Sequence, residues 1–183
     1  MKTLLVTGGT GGLGSVVVPR LSRDYHCVLM KHGEAPTIDG PVFGVISLAG
    51  GFAPGSSTGT LEKMLEANVL SFSRALDLAL SHIEDGGRIV AISSAASLSY
   101  PPLLGAYSAS KSALNALIVS LAHDLAARHI TANALLPTAL ATAPMRAQMP
   151  EEKLVPLERV AEWIAFLLSD NGSGVTGQLI TLA

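Results

Sequence analysis

Lys2-Thr3-Leu4-Leu5-Val6-Thr7-Gly8-Gly9-Thr10-Gly11-Gly12-Leu13-Gly14-Ser15 begins as an apolar run and breaks at once into a cluster of glycines. Lys2 to Thr7 suits a buried parallel strand, and Ser15 to Arg23 takes a helical pattern. Strand, glycine-rich turn and helix are the parts of a dinucleotide site. Glycines let the backbone approach a pyrophosphate, and the helix N-terminus offers free N–H groups and a partial positive charge. Two registers fit: Gly9, Gly11 and Gly14 as G-x-G-x-x-G, or Gly8, Gly12 and Gly14 as T-G-x-x-x-G-x-G. Thr10 and Leu13 fall inside both. A Walker loop is excluded, because no Gly-Lys-Ser/Thr follows.

Outward from this turn, His26 to Lys31 predicts a second buried strand. Dinucleotide folds often end that strand in a carboxylate that holds the ribose hydroxyls. Here the end is Met30-Lys31-His32. A cation there suits a 2′-phosphate, which favours NADP over NAD; solvated surface is the plain alternative for Lys31. Only His32 to Pro41 separates this strand from the next, Val42 to Leu48. That is too short for a helical crossover, but an extended chain covers roughly 3.3 Å per residue and can return along the sheet. The third strand runs into Ala49-Gly50-Gly51, whose small residues leave room across the sheet edge.

Leu61 to Ile83 carries a helical stripe of Leu61, Met64, Leu65, Val69, Phe72, Leu76 and Leu80, with Asn68 inside it. Gly86-Gly87 closes that unit, and Arg88 to Ser93 predicts a strand delivering Ser93 and Ser94 to its carboxyl end. The next helix carries Tyr107-Ser108-Ala109-Ser110-Lys111 and extends to Arg128. Ile130 to Leu135 is a strand ending at Pro137, Leu157 to Ser169 a helix, and Gln178 to Leu182 a last strand. Strands alternating with helices throughout predict one α/β domain over residues 1–183, a doubly wound parallel sheet.

Composition supports this and excludes other classes. Hydrophobic residues make up 49% of the 183 and charged residues 14%, which fits a helix-covered parallel sheet. A net charge of -2 leaves no electrostatic footprint for nucleic acid or anionic lipid. Cys27 is the single cysteine, so no disulfide framework is implied. His26, His32, His82, His123 and His129 are scattered without metal spacing and read as structural or solvated. Met1 leads straight into the first strand with no basic n-region or cleavage site, and no stretch reads as a membrane span. The expectation is a soluble, cytoplasmic protein without a metal.

Residues four apart on a helix share a face, so the Tyr107 hydroxyl and Lys111 ammonium point the same way. A phenol with pKa ~10 exchanges protons poorly at neutral pH, and a fixed cation nearby stabilises its phenolate. Such a tyrosine can give a proton to a carbonyl oxygen or take one from an alcohol.

Thr7-Gly8-x-x-x-Gly12-x-Gly14, Ala49-Gly50, Asn68, Ser94, Tyr107 with Lys111, and Pro137 with Thr138 occur in one order along the chain. In this the sequence resembles the short-chain dehydrogenase/reductase family over essentially its whole length. Locally, Leu48-Ala49-Gly50-Gly51-Phe52 and Leu135 to Met145 look most like dihydropteridine reductases. Ser94, Asn68 and Lys31 depart from what that branch carries. The resemblance implies a Rossmann-like sheet of six strands in the order 2-1-3-4-5-6, an edge strand and its flanking helices being absent. It also implies hydride transfer to or from a small carbonyl, alcohol or pterin-like substrate, with NADP or NAD as cofactor. Tyr107 would exchange the proton and Ser94 would bind the substrate oxygen. Lys111 would hold the nicotinamide ribose and depress the tyrosine pKa, and Asn68 would position a relay water.

The cofactor set would be Gly8, Thr10, Gly11, Gly12, Leu13, Gly14, Lys31, Ala49, Gly50, Gly51, Tyr107, Lys111, Pro137, Thr138 and Thr142. Asn68 as a helix-surface amide, Ser94 as a strand-end turn, and Thr138 and Thr142 as loop-shaping residues are the plain alternatives. A non-catalytic dinucleotide sensor or scaffold is the rival function, since the absent edge elements usually help cover the adenine. Phe52, Leu98, Tyr100, Leu103 and Met145 are expected to line an open, apolar substrate pocket. A homodimer or homotetramer is expected to pair the helices Leu61–Ile83 and Tyr107–Arg128.

Overall fold

The computed structural model describes residues 1–31, 33 and 36–183. His32, and with it part of the predicted linker, lies outside the described residues. Six strands form one parallel sheet: β1 (Lys2–Thr7), β2 (Tyr25–Met30), β3 (Val42–Ser47), β4 (Ile83–Ile92), β5 (Thr131–Pro137) and β6 (Leu179–Leu182). Their order is β2-β1-β3-β4-β5-β6, as the family resemblance implies. β2 is therefore an edge, paired only with β1 from Lys2↔Tyr25 to Thr7↔Met30.

Alternation of side chains along the strands splits the core in two. Leu4 and Val6 of β1, Val90 and Ile92 of β4 and Leu135 of β5 face helices α1 (Gly14–Leu21) and α7 (Leu157–Leu168). Leu5, Val45, Ile89, Ala91 and Leu136 turn to the opposite face. There they meet Phe72 and Ala75 of α3 (Ser71–Ala79) and Leu114 and Ile118 of α5 (Gly105–Asp124). With both faces covered, the inner strands β1, β3, β4 and β5 read as near-continuous apolar runs, whereas no residue of the edge strand β2 is fully buried.

The segment from β2 to β3 contains no helix among its described residues. Thr37 to Pro41 passes over the second face beside Thr3, Leu5, His26 and Val28, bounding a small cavity of about 170 Å³. The short, proline-containing linker thus substitutes for a helical crossover.

The predicted Leu61–Ile83 helix forms as one helical run but contains a π-helical stretch and ends earlier, at Ala79. α2 (Thr58–Leu65) passes through a π-turn over Glu66–Leu70 into α3, which stops at Ala79. Ile83 belongs to β4, where it pairs with Val42. The predicted break at Gly86-Gly87 is an irregularity within that strand, with the register shifting between Val42 and Gly44. Extending the helical period to Ile83 missed this, because the pairing is a long-range choice. Likewise α5 ends at Asp124, and Ala126–Arg128 forms a separate 3-10 turn. The described residues also form the short helices α4 (Ala96–Ser99) and α6 (Ala143–Arg146) and 3-10 turns at Glu151–Lys153 and Asp170–Gly172.

Candidate active site

The carboxyl ends of β1, β3, β4 and β5 converge on one edge of the sheet, where doubly wound folds bind ligands. After β1 the turn needs glycine at two positions. Gly8 has φ +68°, and a Cβ on it would lie 2.5 Å from the Ala49 nitrogen. A Cβ on Gly14 would lie 2.4 Å from the Gly8 carbonyl oxygen. Gly8, which the T-G-x-x-x-G-x-G register includes, touches the loop after β3, and Gly14, common to both registers, closes the turn onto α1. The nearest side chain to Gly12 is Thr142, 3.4 Å from a Cβ built there. Thr142 precedes α6 in a segment pinned by Ala141 N–H to the Val155 carbonyl (2.9 Å) and Val155 N–H to that of Ala139 (2.7 Å). Predicted cofactor residues from two distant parts of the chain thus meet.

Between this turn and α3 lies a cleft of about 900 Å³ bordered by Thr7, Gly8, Thr10, Met30, Lys31 and Ala49. Its other wall is Ser71, Arg74, Asp77 and Leu78 of α3, none of which the sequence singled out. They recur at helical spacing on the polar side of the Leu61–Leu80 stripe, a signal visible only once their neighbours are known. Arg74 is held by the Glu66 carboxylate, with one Nη2–Oε2 bond of 3.1 Å.

Asn68 sits at the π-turn, 1% exposed. Its Oδ1 accepts from the Gly51 N–H (2.8 Å), and its Nδ2 donates to the Gly51 carbonyl (3.1 Å) and to Ser110 Oγ (3.0 Å). Ser110 Oγ in turn donates to the Tyr107 carbonyl at 2.7 Å. The amide therefore clamps the loop after β3 onto the helix that carries Tyr107. Both of its donors serve this clamp, leaving the second lone pair of Oδ1 for any water. Gly50 allows the close approach: a Cβ there would meet Asn68 Oδ1 at 2.8 Å and Lys111 Nζ at 3.2 Å.

Lys111 is 3% exposed, and its ammonium donates to the Ile92 carbonyl at 2.8 Å. Burial holds its pKa down from an ordinary 10.5 to about 8. Ser94, also buried, accepts from the Ala96 N–H (3.2 Å), and its hydroxyl lies near enough to the Tyr107 phenol to favour the phenolate. Burial pushes the Tyr107 phenol above its ordinary value, and the nearby Ser94 hydroxyl offsets this only in part. The depression expected from Lys111 is not found: burial dominates, Ser94 is the opposing influence, and the lysine ammonium is turned to the Ile92 carbonyl. Ser93 is linked to the helix backbone, its hydroxyl donating to the Lys111 carbonyl at 3.3 Å. The Pro137 carbonyl accepts from the Ala95 N–H (3.1 Å), joining the end of β5 to the Ser94 loop, while the exposed Thr138 donates its N–H to the Leu182 carbonyl (2.9 Å).

A phenol facing a serine hydroxyl, a buried lysine one helical turn away and a glycine turn after β1 lie at the carboxyl ends of the strands of a doubly wound sheet, the arrangement the sequence leads one to expect of a dinucleotide-dependent oxidoreductase. A family model described as enoyl-(acyl carrier protein) reductase matches residues 43–182. An uncharacterized oxidoreductase of Methylorubrum extorquens is 26% identical over 235 aligned positions, covering 98% of this chain and 95% of that protein. A short-chain type dehydrogenase/reductase of Picea abies is 38% identical over 107 residues, covering 52% of this chain and 40% of the relative. The crystal structure of a blue fluorescent protein from a metagenomic library, in complex with NADPH, superimposes with a TM-score of 0.86. It is 26% identical, with 99% of this chain and 96% of that one covered. The chain belongs to the short-chain dehydrogenase/reductase family. None of these relatives is a dihydropteridine reductase, and that likeness stays confined to the two short stretches that carry it.

Proposed function

We propose that residues 1–183 act as one NAD(P)-binding domain that moves hydride between the cofactor and a small carbonyl, alcohol or pterin-like substrate. The observation that carries this is the Tyr107 phenol facing the buried Ser94 hydroxyl, with Lys111 one turn on and its ammonium beside Gly50 of the loop that touches the glycine turn. Family membership supports NAD(P) as cofactor, and the glycine turn between β1 and α1 suits a pyrophosphate lying close to the backbone. When bound, the cofactor supplies or accepts the hydride. Tyr107 gives its proton to the substrate oxygen, which Ser94 orients. Lys111 holds the nicotinamide ribose with its ammonium. Asn68 acts as a positioning residue through Gly51 and Ser110. The test is oxidation of NADPH and NADH against a panel of quinones, diketones and dihydropterins, with Tyr107→Phe as control. Turnover by wild type no faster than by the variant, with cofactor bound, overturns it.

That last outcome favours a second reading, a dinucleotide-binding sensor or scaffold. The observation behind it is the breadth of the cleft beside Met30 and Lys31, walled by α3.

Lys31 on the cleft rim supports NADP over NAD. Lys31→Asp is expected to lower the NADPH/NADH ratio of kcat/KM about tenfold or more, equivalent to about 1.4 kcal/mol. An unchanged ratio removes the 2′-phosphate argument. A homodimer or homotetramer pairing α2–α3 and α5 belongs to the same proposal, supported by the exposure of Leu70 and Leu117 on those helices. Light scattering should return at least twice 18.8 kDa; a monomer mass rules it out. Residence in the cytoplasm, with neither nucleic acid nor membrane as partner, completes the proposal and is supported by the net charge of -2.

A further inference from the structure

Eight large apolar side chains stand exposed among the described residues, and four of them, Phe52, Leu98, Tyr100 and Leu103, lie on the two segments that border Tyr107. Such clustering beside one reactive group is unlike singly scattered surface apolar residues. The two segments are laced together. Gly55 donates its N–H to the Leu103 carbonyl at 2.7 Å, and Ala106 donates to the Gly55 carbonyl at 3.1 Å. Phe52 is 63% exposed, yet its ring packs edge-on against that of Tyr107, with centroids 5.1 Å apart and planes at 71°. The residue before it, Gly51, is fixed by the Asn68 clamp. Tyr100 and Leu103 hold left-handed backbone conformations, with φ 47° and 65°. Such conformations are costly for side-chain-bearing residues and here accompany exposed apolar side chains.

Charge is missing from the same surface. No Asp, Glu, Lys or Arg occurs between Asp39 and Glu62, or between Arg88 and Lys111. On the 138–156 side, Arg146 is committed to Glu151 by two bonds of 2.9 Å. An anionic substrate would lose water at this lip and gain no cation there. A flat neutral ring would bury apolar area on Phe52 and could stack on it.

We infer that Phe52 and the apolar lip around it select a neutral, flat aromatic carbonyl compound, with Phe52 as the specificity-determining residue, and reject carboxylated substrates and acyl thioesters of anionic carriers. The inference rests on the acid/base reading of Tyr107 for turnover, but the lip's selectivity can be read from binding alone. The probes are 2-acetylnaphthalene, its 6-carboxylate counterpart and acetoacetyl-coenzyme A. Each is measured by steady-state kinetics with NADPH and NADH, and by saturation-transfer NMR on the full chain with and without NADP⁺. The neutral ketone is expected to exceed its carboxylate in kcat/KM by about 30-fold or more. Phe52→Ala should lower kcat/KM for the neutral ketone about tenfold, chiefly through KM. Phe52→Arg should shrink or invert the neutral-to-carboxylate ratio. Equal or better use of the carboxylate or the coenzyme A thioester overturns the inference, as does a Phe52→Ala protein matching wild type in both kinetics and binding. Where no probe is turned over, the NMR decides alone: neutral ligand bound by wild type and lost in Phe52→Ala supports the lip, and no difference overturns it. Tyr107→Phe separates the two readings, since it should end turnover while leaving naphthyl binding intact.

Discussion

Tyr107→Phe is expected to lower kcat for carbonyl reduction by a factor of about 10² to 10⁴, the span of general acid catalysis, with cofactor affinity within about twofold of wild type. The substitution removes one oxygen and keeps the ring, so the edge contact with Phe52 at 5.1 Å survives. What is lost is the proton and the phenolic oxygen that faces Ser94. A loss equal in kcat and kcat/KM would mark an interaction made in the transition state, whereas a change confined to KM would show that Tyr107 only binds. The pH dependence has a definite sign. Burial holds the phenol above its ordinary value, so it stays a proton donor throughout neutral pH. Reduction should therefore be level on the acid side and fall as pH rises through about 8, where Lys111 gives up its charge. Oxidation, which needs the phenolate, should rise with pH. A profile for reduction that climbs between pH 7 and 9 would contradict the assignment.

The parts of this site that are legible in sequence are those set by local chemistry. An apolar run breaking into glycines at Gly8 announces strand, turn and helix, because the left-handed backbone at φ +68° suits a residue without Cβ. Tyr107 and Lys111 announce a shared helix face by spacing alone. What the sequence hides depends on which distant segments are neighbours. Asn68 lies within an apolar stripe, but its pairing with Gly51 and Ser110 comes from the π-turn and from packing against α5. Ile83 extends a helical period and nonetheless joins β4, because Val42 is available as its partner. Ser71, Arg74, Asp77 and Leu78 wall a cleft beside Met30 and Lys31, next to a β2–β3 connection with no helix among its described residues. Charge arithmetic along the helix forecasts a depressed Tyr107 pKa. Burial, a property of the whole fold, reverses it.

Lys111→Met should abolish turnover and at the same time stabilise the cofactor-free protein. An ammonium 3% exposed among uncharged neighbours loses hydration that one bond of 2.8 Å to the Ile92 carbonyl does not replace. Its folded-state pKa of about 8 lies below the ordinary 10.5. Below pH 8 the lysine is charged in both states, and the full cost falls on the folded one. Between about 8 and 10.5 the unfolded chain binds the extra proton, so stability rises with pH across that window. Each pKa unit corresponds to about 1.36 kcal/mol, which makes the cost at pH 7 about 3 kcal/mol. Methionine removes the charge and keeps most of the volume, at the loss of one hydrogen bond to a carbonyl, about 1 kcal/mol. A net gain of about 2 kcal/mol corresponds to a melting temperature higher by about 4 to 8 °C at pH 7 in a chain of this size. The gain should shrink toward pH 10, where the wild-type lysine folds uncharged. Paired thermal melts at pH 7 and pH 10 measure both numbers. A variant less stable than wild type at pH 7 would mean that the buried cation stabilises the fold, and its retention would then need no catalytic reason. A variant that is firmer and inactive would show stability given up for a charge that only the reaction uses.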